Sequence, residues 1–323
     1  MKVGPIGQEK VVLVLFVICF ALFSLTLDGF LSVGNVSALV RSVAVLGILG
    51  IGMALVVIGR GIDLSIVAIM AISVSLTLQL SQAGQSAPVA VLAGLLAAAV
   101  IGAINGWLIA YAEIPALFAT LAMGSIVYGF GRFMVVDQDI VYAPATYGAL
   151  LTLGGIGPLG LPWPVWLFGA IAILGILALG RTRLGRFVYL SGDNPSAARI
   201  TGIPTRPLTV LQYLVTACIA FVAGLITAAS VGSMNTRVVN STLVYDVILV
   251  VVLGGIGLSG GRGSVRNVLV GTLLIGTLLN GMTIMNLQFT TQNLIKSGIL
   301  LLAIIIDSFV NPRDEQTAQQ GDI

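Results

Sequence analysis

The sequence predicts an all-α, polytopic membrane protein with about ten transmembrane helices. Of its 323 residues, 58% are hydrophobic and only 8% are charged. A soluble domain carries roughly a quarter charged residues, so this chain cannot cover a water-exposed surface of ordinary composition. The apolar residues form long runs, and glycine, with 40 copies, is frequent within them. Such small residues let membrane helices approach closely.

Ten runs are long enough to cross a bilayer, whose hydrocarbon core of about 30 Å requires about 20 mostly apolar residues. We predict spans at residues 11–27, 38–58, 64–80, 88–112, 116–136, 163–180, 207–232, 243–259, 267–286 and 293–310. The first, sixth and eighth runs are short. The first follows Lys2 and Lys10 as a signal peptide would, but no small-residue cleavage site comes after it, so we predict an uncleaved span.

The basic residues predict the orientation of the spans, because short cytoplasmic loops are enriched in Lys and Arg. With the amino terminus inside, eleven of the 15 basic residues are cytoplasmic: Lys2, Lys10, Arg60, Arg181, Arg183, Arg186, Arg199, Arg206, Arg262, Arg266 and Arg313. Four are outside: Arg41, Arg132, Arg237 and Lys296. We therefore predict that both termini are cytoplasmic.

This orientation divides the chain into one transmembrane domain with two large loops and a tail. Residues 1–323 form the single domain, and residues 181–206 are its largest cytoplasmic loop. Residues 137–163, rich in Gly and Pro, form the largest outer loop, where we expect a short helix on or in the membrane. A polar carboxy-terminal tail follows at 312–323.

Several kinds of chemistry are excluded by residues that the sequence lacks. It has no histidine, the commonest general base and metal ligand. None of its lysines lies in a G-x-x-x-x-G-K-[ST] motif, so it has no P-loop for ATP hydrolysis. Cys19 and Cys218 lie in separate apolar runs and indicate neither a disulfide framework nor a metal site. We expect no enzyme activity and no metal or cofactor on this chain, and its scattered basic residues favour no nucleic acid.

Polar residues within or near the spans have two interpretations. They hydrogen-bond between helices, or they line a hydrophilic path for a polyol. The candidates for the path or its gate are Asp63, Ser65, Asn105, Thr120 and Asn280. Asp63, in "GRGIDLS" (59–65), indicates first a helix start and second a gate element. Asp63 and Asp246 fall near helix ends, whereas a proton- or sodium-coupled carrier needs an acidic group at depth.

The cytoplasmic loop contains the signals of a short helix. Asp193 or Asn194 can accept hydrogen bonds from the first free amides, and Pro195 suits the first helical position. Gly202 can provide a left-handed cap after one to two turns, and Pro204 prevents continuation. An isolated helix this short is marginal in water, so we expect it to rest in a partner.

Four stretches resemble the ribose-type sugar permeases of bacterial ABC importers. "SGDNPSAARITGI" (191–203) resembles that family's cytoplasmic coupling loop, and "GRGIDLSI" (59–66) resembles its G-G-I-D-L-S stretch, with Arg60 in place of glycine. Residues 104–129 and 252–282 resemble two further family blocks. The resemblance covers most of the chain from about residue 57 to 310.

The resemblance implies a permease subunit in the bacterial inner membrane, present in two copies as a homodimer or with a close paralogue. A separate cytoplasmic ATPase would bind ATP and Mg, and an extracytoplasmic binding protein would deliver the sugar. The coupling positions that it implies are Asp193, Asn194, Pro195, Ala197, Ala198, Arg199 and Gly202. Ser196 stands where many ABC importers have glutamate, so that contact does not transfer. The sequence leaves the sugar open.

Two other classes of function remain as alternatives. An ion-coupled secondary transporter of a small polar solute would accumulate sugar without an ATPase. A membrane-embedded enzyme would turn over a lipid-linked sugar, although the missing histidine and the lack of a close acidic pair disfavour it.

Overall fold

A computed structural model describes residues 8–144 and 148–310. Within these residues the helices are α1 Gln8–Thr26, α2 Val33–Ile58, α3 Ile66–Gln82, α4 Ala87–Ala110, α5 Ala116–Phe130, α6 Gly148–Thr152, α7 Trp163–Arg181, α8 Arg183–Asp193, α9 Pro195–Ile200, α10 Thr205–Val231, α11 Leu243–Gly254, α12 Val265–Ile284 and α13 Phe289–Val310. The strands are β1 Ile140–Tyr142 and β2 Ser233–Asn235. The predicted tail at 312–323 lies outside the described residues.

The prediction of a polytopic helical membrane protein is confirmed. In the described part of the chain, seven helices are long and apolar enough to cross a membrane, namely α1, α2, α4, α5 with the π-helical turn that extends it to Val135, α7, α10 and α12. Helices α3 and α11 and residues 289–305 of α13 are shorter apolar segments. All ten coincide with predicted runs, and crossing by all ten stays a prediction.

Two predictions of local structure are corrected. The predicted eighth span, 243–259, is too long: α11 ends at Gly254 because Gly255 takes a φ of 103°, which a right-handed helix cannot accommodate. The chain is also not purely helical. Strands β1 and β2 pair antiparallel, with Val141 opposite Met234, and they connect the predicted outer loop to the segment after α10. This pairing is non-local, so no turn signal in the sequence announces it.

Helix α10 lies at the centre of the bundle, packed against α2, α3 and α4. Helix α4 presents to it a buried row of small residues at every fourth position: Ala90, Gly94, Ala98, Gly102 and Gly106. A Cβ atom added to Gly102 would lie 2.6 Å from the carbonyl oxygen of Tyr213 in α10. The two backbones therefore approach closely, as in other membrane helix pairs packed through small residues.

The loops gather at two ends of the bundle. At the first, here called the α9 end, the N–H of Gly261 donates to the carbonyl of Ile58 at 2.8 Å, and Arg206 pairs with Glu113 at 2.8 Å. The second is here called the ribbon end, because it carries β1 and β2. There the Asp139 carboxylate accepts from Arg132 at 2.9 Å and from Arg237 at 2.5 Å.

Candidate functional site

The predicted cytoplasmic loop is built from two helices rather than one. Helix α8 begins directly after α7, where the Thr182 hydroxyl accepts a hydrogen bond from the N–H of Gly185 at 3.0 Å. Its buried face carries Gly185, Val188, Ser191 and Gly192. This spacing of three and four residues is that of an amphipathic helix. The sequence prediction of one short helix in this loop omits α8, and the signal that shows α8 is this period of buried residues behind a threonine cap.

Gly192 holds α8 against the rest of the α9 end. A Cβ atom at this position would lie 1.9 Å from the carbonyl oxygen of Ile58 and 2.7 Å from the backbone nitrogen of Gly261. The end of α2 and the α11–α12 loop therefore meet α8 at one point. The hydroxyl of Tyr189 adds a second link, because it donates to the carbonyl of Gly263 at 2.8 Å.

The predicted short helix is present as α9, and Asn194 rather than Asp193 caps it. The Asn194 side chain accepts from the N–H of Ala197 at 2.9 Å, and Pro195 occupies the first helical position. Asp193 is instead the last residue of α8. Asn194 is thus both the C-cap of α8 and the N-cap of α9, so it sets the turn between the two helices. Its capping role can be predicted from the local sequence.

The carboxy-terminal end of α9 closes as the sequence predicts. Gly202 has a φ of 82°, and its N–H donates to the carbonyl of Arg199 at 3.0 Å. The N–H of Ile203 donates to the carbonyl of Ala198, also at 3.0 Å. These two bonds are the Schellman arrangement, which satisfies the last free carbonyls of a helix through a left-handed residue.

The two faces of α9 differ. Ala198 is 3% exposed and packs inward, and the guanidinium of Arg199 reaches the hydroxyl of Thr205 at 3.4 Å. Ala197 is exposed, and Ile200 is 87% exposed. Residues three apart share one face of a helix, so Ala197 and Ile200 lie together on the outward face of α9. The paired alanines therefore do not share one role.

Four of the five path candidates meet in one buried hydrogen-bond network at residues 63–65, directly before α3 begins. The Asp63 carboxylate accepts from the Ser65 N–H at 2.9 Å and from its hydroxyl at 2.5 Å. Asn105 of α4 donates to the Ser65 hydroxyl at 2.8 Å, and Thr120 of α5 accepts from the N–H of Leu64 at 3.1 Å. All four are 0% exposed. They connect the start of α3 with α4 and α5, which agrees with the interpretation that these polar residues hydrogen-bond between helices.

Asp63 lies in the turn between α2 and α3, outside both helices, yet it has no exposed surface. Helix α3 begins close by, as predicted, but its N-cap is Ser65 rather than Asp63, and Asp63 is buried rather than at a water interface. Burial raises the pKa of its carboxyl from 3.8 to about 6, against the hydrogen bonds from Ser65, which lower it. Its second oxygen, Oδ2, is buried and accepts no hydrogen bond from the described residues.

Asn280 is not part of this network. It lies in α12 and exchanges hydrogen bonds with Asn35 of α2, at 2.8 and 3.0 Å. The pair borders a cavity of about 630 Å³ between α2, α10 and α12. Asn280 and the Asp63 network are thus separate polar features of the bundle.

Lys296, which the sequence places among the outer basic residues, lies within α13 and forms a buried ion pair with Asp246 of α11 at 2.9 Å. Its side of the membrane stays a prediction. Asp246 lies in the first turn of its helix, as predicted, but that helix is only 12 residues long. Among residues 8–144 and 148–310, no group of three or more His, Cys, Asp or Glu side chains could hold a metal ion.

Comparison with known proteins places this architecture among transport permeases. Residues 35–306 match the family model of the branched-chain amino acid transport system / permease component. The ribose import permease protein of Escherichia coli strain K12 is 31% identical over 302 residues, which are 93% of this chain and 94% of that protein.

Two further relatives are named for other sugars. The L-arabinose ABC transporter permease protein of Azospirillum brasilense is 33% identical, over 94% of this chain and 88% of its own length. The xylose transport system permease protein of Haemophilus influenzae is 29% identical, over 93% and 96%. These matches cover the capped α8–α9 segment as well as the membrane helices. The chain therefore belongs to the family of ABC transport permease components that includes these sugar permeases.

Proposed function

We propose that this chain is the permease subunit of a binding-protein-dependent ABC importer that moves a monosaccharide into the cytoplasm. The observation that carries the proposal is the exposed, doubly capped α9, fixed to the bundle through α8. The sugar class is supported by relatives whose names specify ribose, L-arabinose and xylose. Family membership implies an ATPase and a binding protein as partners.

The proposed coupling follows from the geometry of the α9 end. Helix α9 would rest in a groove of the ATPase, with Ile200 and Ala197 as its exposed contacts. Movement of the ATPase would displace α8, which meets α2 and the α11–α12 loop at Gly192. Rigid elements in contact transmit such displacements as a change from one packing to another. ATP and Mg would be bound by the ATPase, and this chain would bind neither.

The orientation of the chain completes the proposal. The α9 end would be cytoplasmic, all ten apolar helices would cross the inner membrane, and both termini would lie inside. Residues 181–206 would then be the coupling loop of a single domain, and the ribbon end would meet the binding protein. Arg181, Arg183 and Arg186 would contact the ATPase or anionic lipid. A second permease copy, identical or paralogous, would complete the pathway.

Reconstitution tests the function. The chain, co-expressed with its cognate ATPase, should co-purify with it in mild detergent and, with the binding protein, drive sugar uptake into vesicles on addition of ATP. Uptake by the chain alone under a proton or sodium gradient would instead support the ion-coupled alternative. We include this measurement because Asp246 is a buried acidic group of the kind that such a carrier needs. Failure of both co-purification and ATP-driven uptake would overturn the proposal.

A further inference from the structure

The ion pair between α11 and α13 lies deep in the bundle. Lys296 Nζ is 2.9 Å from Asp246 Oδ1 and 2.8 Å from the hydroxyl of Thr242, to which it donates. A Cβ atom on Gly50, in α2, would lie 3.3 Å from Val250. Gly50 therefore lies level with Val250 of α11. Asp246 is one helical turn before Val250, so the ion pair lies level with the middle of the 26-residue α2. The short α11 brings the ribbon end inward to this depth.

A charged pair at this depth is costly in hydrocarbon. Ionisable groups in membrane helices almost always face a bundle interior or a water-filled cavity, and they mark substrate pathways. A buried ion pair also contributes little net stability compared with well-packed apolar residues, so stability alone gives weak reason to keep one. Lys296 is 9% exposed and Asp246 is 7% exposed, so a small part of each residue remains accessible.

The opening is a recess of about 360 Å³ between α11 and α13. Its apolar part is formed by Leu249, Leu300, Leu301 and Ile304. The remaining side chains all carry a hydrogen-bonding group: Thr242, Tyr245, Asp246, Asn293, Lys296 and Ser297. A small number of converging polar groups in a partly apolar pocket is the usual composition of a small-molecule site.

A second recess, of about 400 Å³, lies on the other side of Tyr245. It also has polar lining, from Ser125, Tyr128, Asn240 and Ser241. Tyr245, 56% exposed, forms the wall between the two. Tyr245 is the exposed large side chain that α11 itself contributes to this face, whereas α13 beside it exposes Leu294, Leu301 and Leu302. The polar lining of the two recesses therefore lies beside apolar side chains.

We propose that the α11–α13 recess is a contact site for a neutral monosaccharide on the translocation path. This inference rests on the proposed function and names the part of the chain that touches the sugar. The Lys296 ammonium donates, the Asp246 carboxylate accepts, and the amide of Asn293 does both, which matches the donors and acceptors of adjacent sugar hydroxyls. The ring of Tyr245 provides an apolar surface for the C–H face of the sugar. The ion pair holds its two polar groups in place without adding net charge.

Cysteine accessibility tests whether the recess is wet and holds sugar. In a chain without Cys19 and Cys218, Ser297→Cys should react with a membrane-impermeant thiol reagent, because the reactive thiolate needs water. Leu174→Cys, on the 65% exposed position of α7, is the matched control and should stay unreacted. Addition of ribose, L-arabinose or xylose to the assembled transporter should slow the labelling of Ser297→Cys. No labelling at this position, or labelling that none of the three sugars slows, overturns the proposal.

Uptake gives an independent readout. Asn293→Leu should lower ATP-driven uptake about tenfold, the order expected for the loss of one hydrogen bond to the sugar, with ATPase activity retained. Thr291→Leu makes a comparable change at an exposed position of α13 outside the recess and should leave uptake unchanged. Normal uptake by Asn293→Leu overturns the sugar site alone. A wild-type chain that neither co-purifies with the ATPase nor takes up sugar with ATP overturns the proposed function instead.

Discussion

At the scale of single residues, Gly192 carries a larger structural role than its place in the sequence suggests. Only a residue without a side chain allows the carbonyl of Ile58 and the backbone of Gly261 to meet α8 at this distance. Both obstacles are backbone atoms, which cannot rotate away as a side-chain tip would. The sequence shows a glycine before an Asp-Asn-Pro turn, but its two contacts come from residues far along the chain, so local patterns could not reveal them.

Gly192→Ala should therefore uncouple the transporter. The added methyl group must separate α8 from α2, and we expect a loss of about 2 kcal/mol or more in the free energy of unfolding, as for other overpacked sites. ATP-driven uptake should fall further than ATPase activity. The measurement is the ratio of sugar transported to ATP hydrolysed, with thermal unfolding in detergent alongside.

Gly180→Ala is the matched control, because a Cβ atom at this helical position meets no atom within 4 Å. It should keep normal coupling and be neutral or slightly stabilising, since alanine is the better helix former. Equal behaviour of the two variants would contradict the role given to Gly192.

Asp63 gives a second prediction at the residue scale, through pH. Its pKa is higher in the folded protein than in the unfolded chain, so the folded state binds more protons between about pH 4 and 6. This residue therefore makes the protein less stable as the pH rises through that window. Asp63→Asn keeps an acceptor for Ser65 and cannot ionise, so its stability should not fall across this window as that of the wild type does.

Thermal unfolding of wild type and Asp63→Asn at pH 5 and pH 7.5 checks this. The wild type should lose stability between pH 5 and pH 7.5 relative to the variant. The two proteins share all other carboxylates, so the difference between them reports Asp63 alone. Identical pH dependence of the two proteins would mean that Asp63 is not the buried, titrating group described.

At the scale of elements, the α8–α9 segment divides into what local signals specify and what packing specifies. Both ends of α9 were predictable, because Asn194, Pro195 and Gly202 act on backbone groups only a few residues away. The inward position of Ala198 was not, because it depends on how α8 lies on the bundle. Among the path candidates, Ser65 and Asn105 meet only through the packing of α3 on α4.

The exposed tip of α9 should carry the coupling. Ile200→Lys places a charge on the apolar contact without burying it, and lysine suits the last position of a helix. We expect a several-fold loss of ATP-driven uptake and weaker co-purification with the ATPase, with no change in thermal stability. Unaltered uptake would count against α9 as the coupling helix.

The chain offers a close control for this change. Val231 is also β-branched, is also the last residue of its helix, and is 72% exposed, but it ends α10 at the ribbon end. Val231→Lys should bind the ATPase as the wild type does. A substitution at Ala198 is less suitable, because a bulky charged group there would disrupt buried packing and confuse folding with coupling.

At the scale of the whole molecule, the composition was enough to predict a helical membrane protein, and the length of the apolar runs located its helices. Depth was harder. Asp246 was assigned to an interface because it begins an apolar run, yet α11 has 12 residues and rises about 18 Å, well short of a bilayer core. The length of a helix depends here on Gly255, whose left-handed conformation the sequence alone did not distinguish from the other glycines of the span.

The orientation of the two ends can be measured directly. In a chain without its native cysteines, Thr201→Cys at the α9 end should react with an impermeant reagent only in inside-out membrane vesicles. Asn235→Cys in β2 should react only in cells or vesicles of the opposite orientation. Both positions are exposed, so access to the side chain is not limiting. Reaction of both from the same side would contradict the proposed topology.

The ribbon has a consequence for how the chain is made. Strand β1 precedes α7, α8, α9 and α10, and its partner β2 follows them, so Val141 cannot pair with Met234 until the entire segment between them has been synthesised. Closing so long a loop carries an entropic cost that short hairpins do not. Asp139 meets Arg132 early but Arg237 only at this late stage. The ribbon therefore forms only after the chain has been made as far as β2, and a nascent chain that stops before β2 leaves β1 without this partner strand.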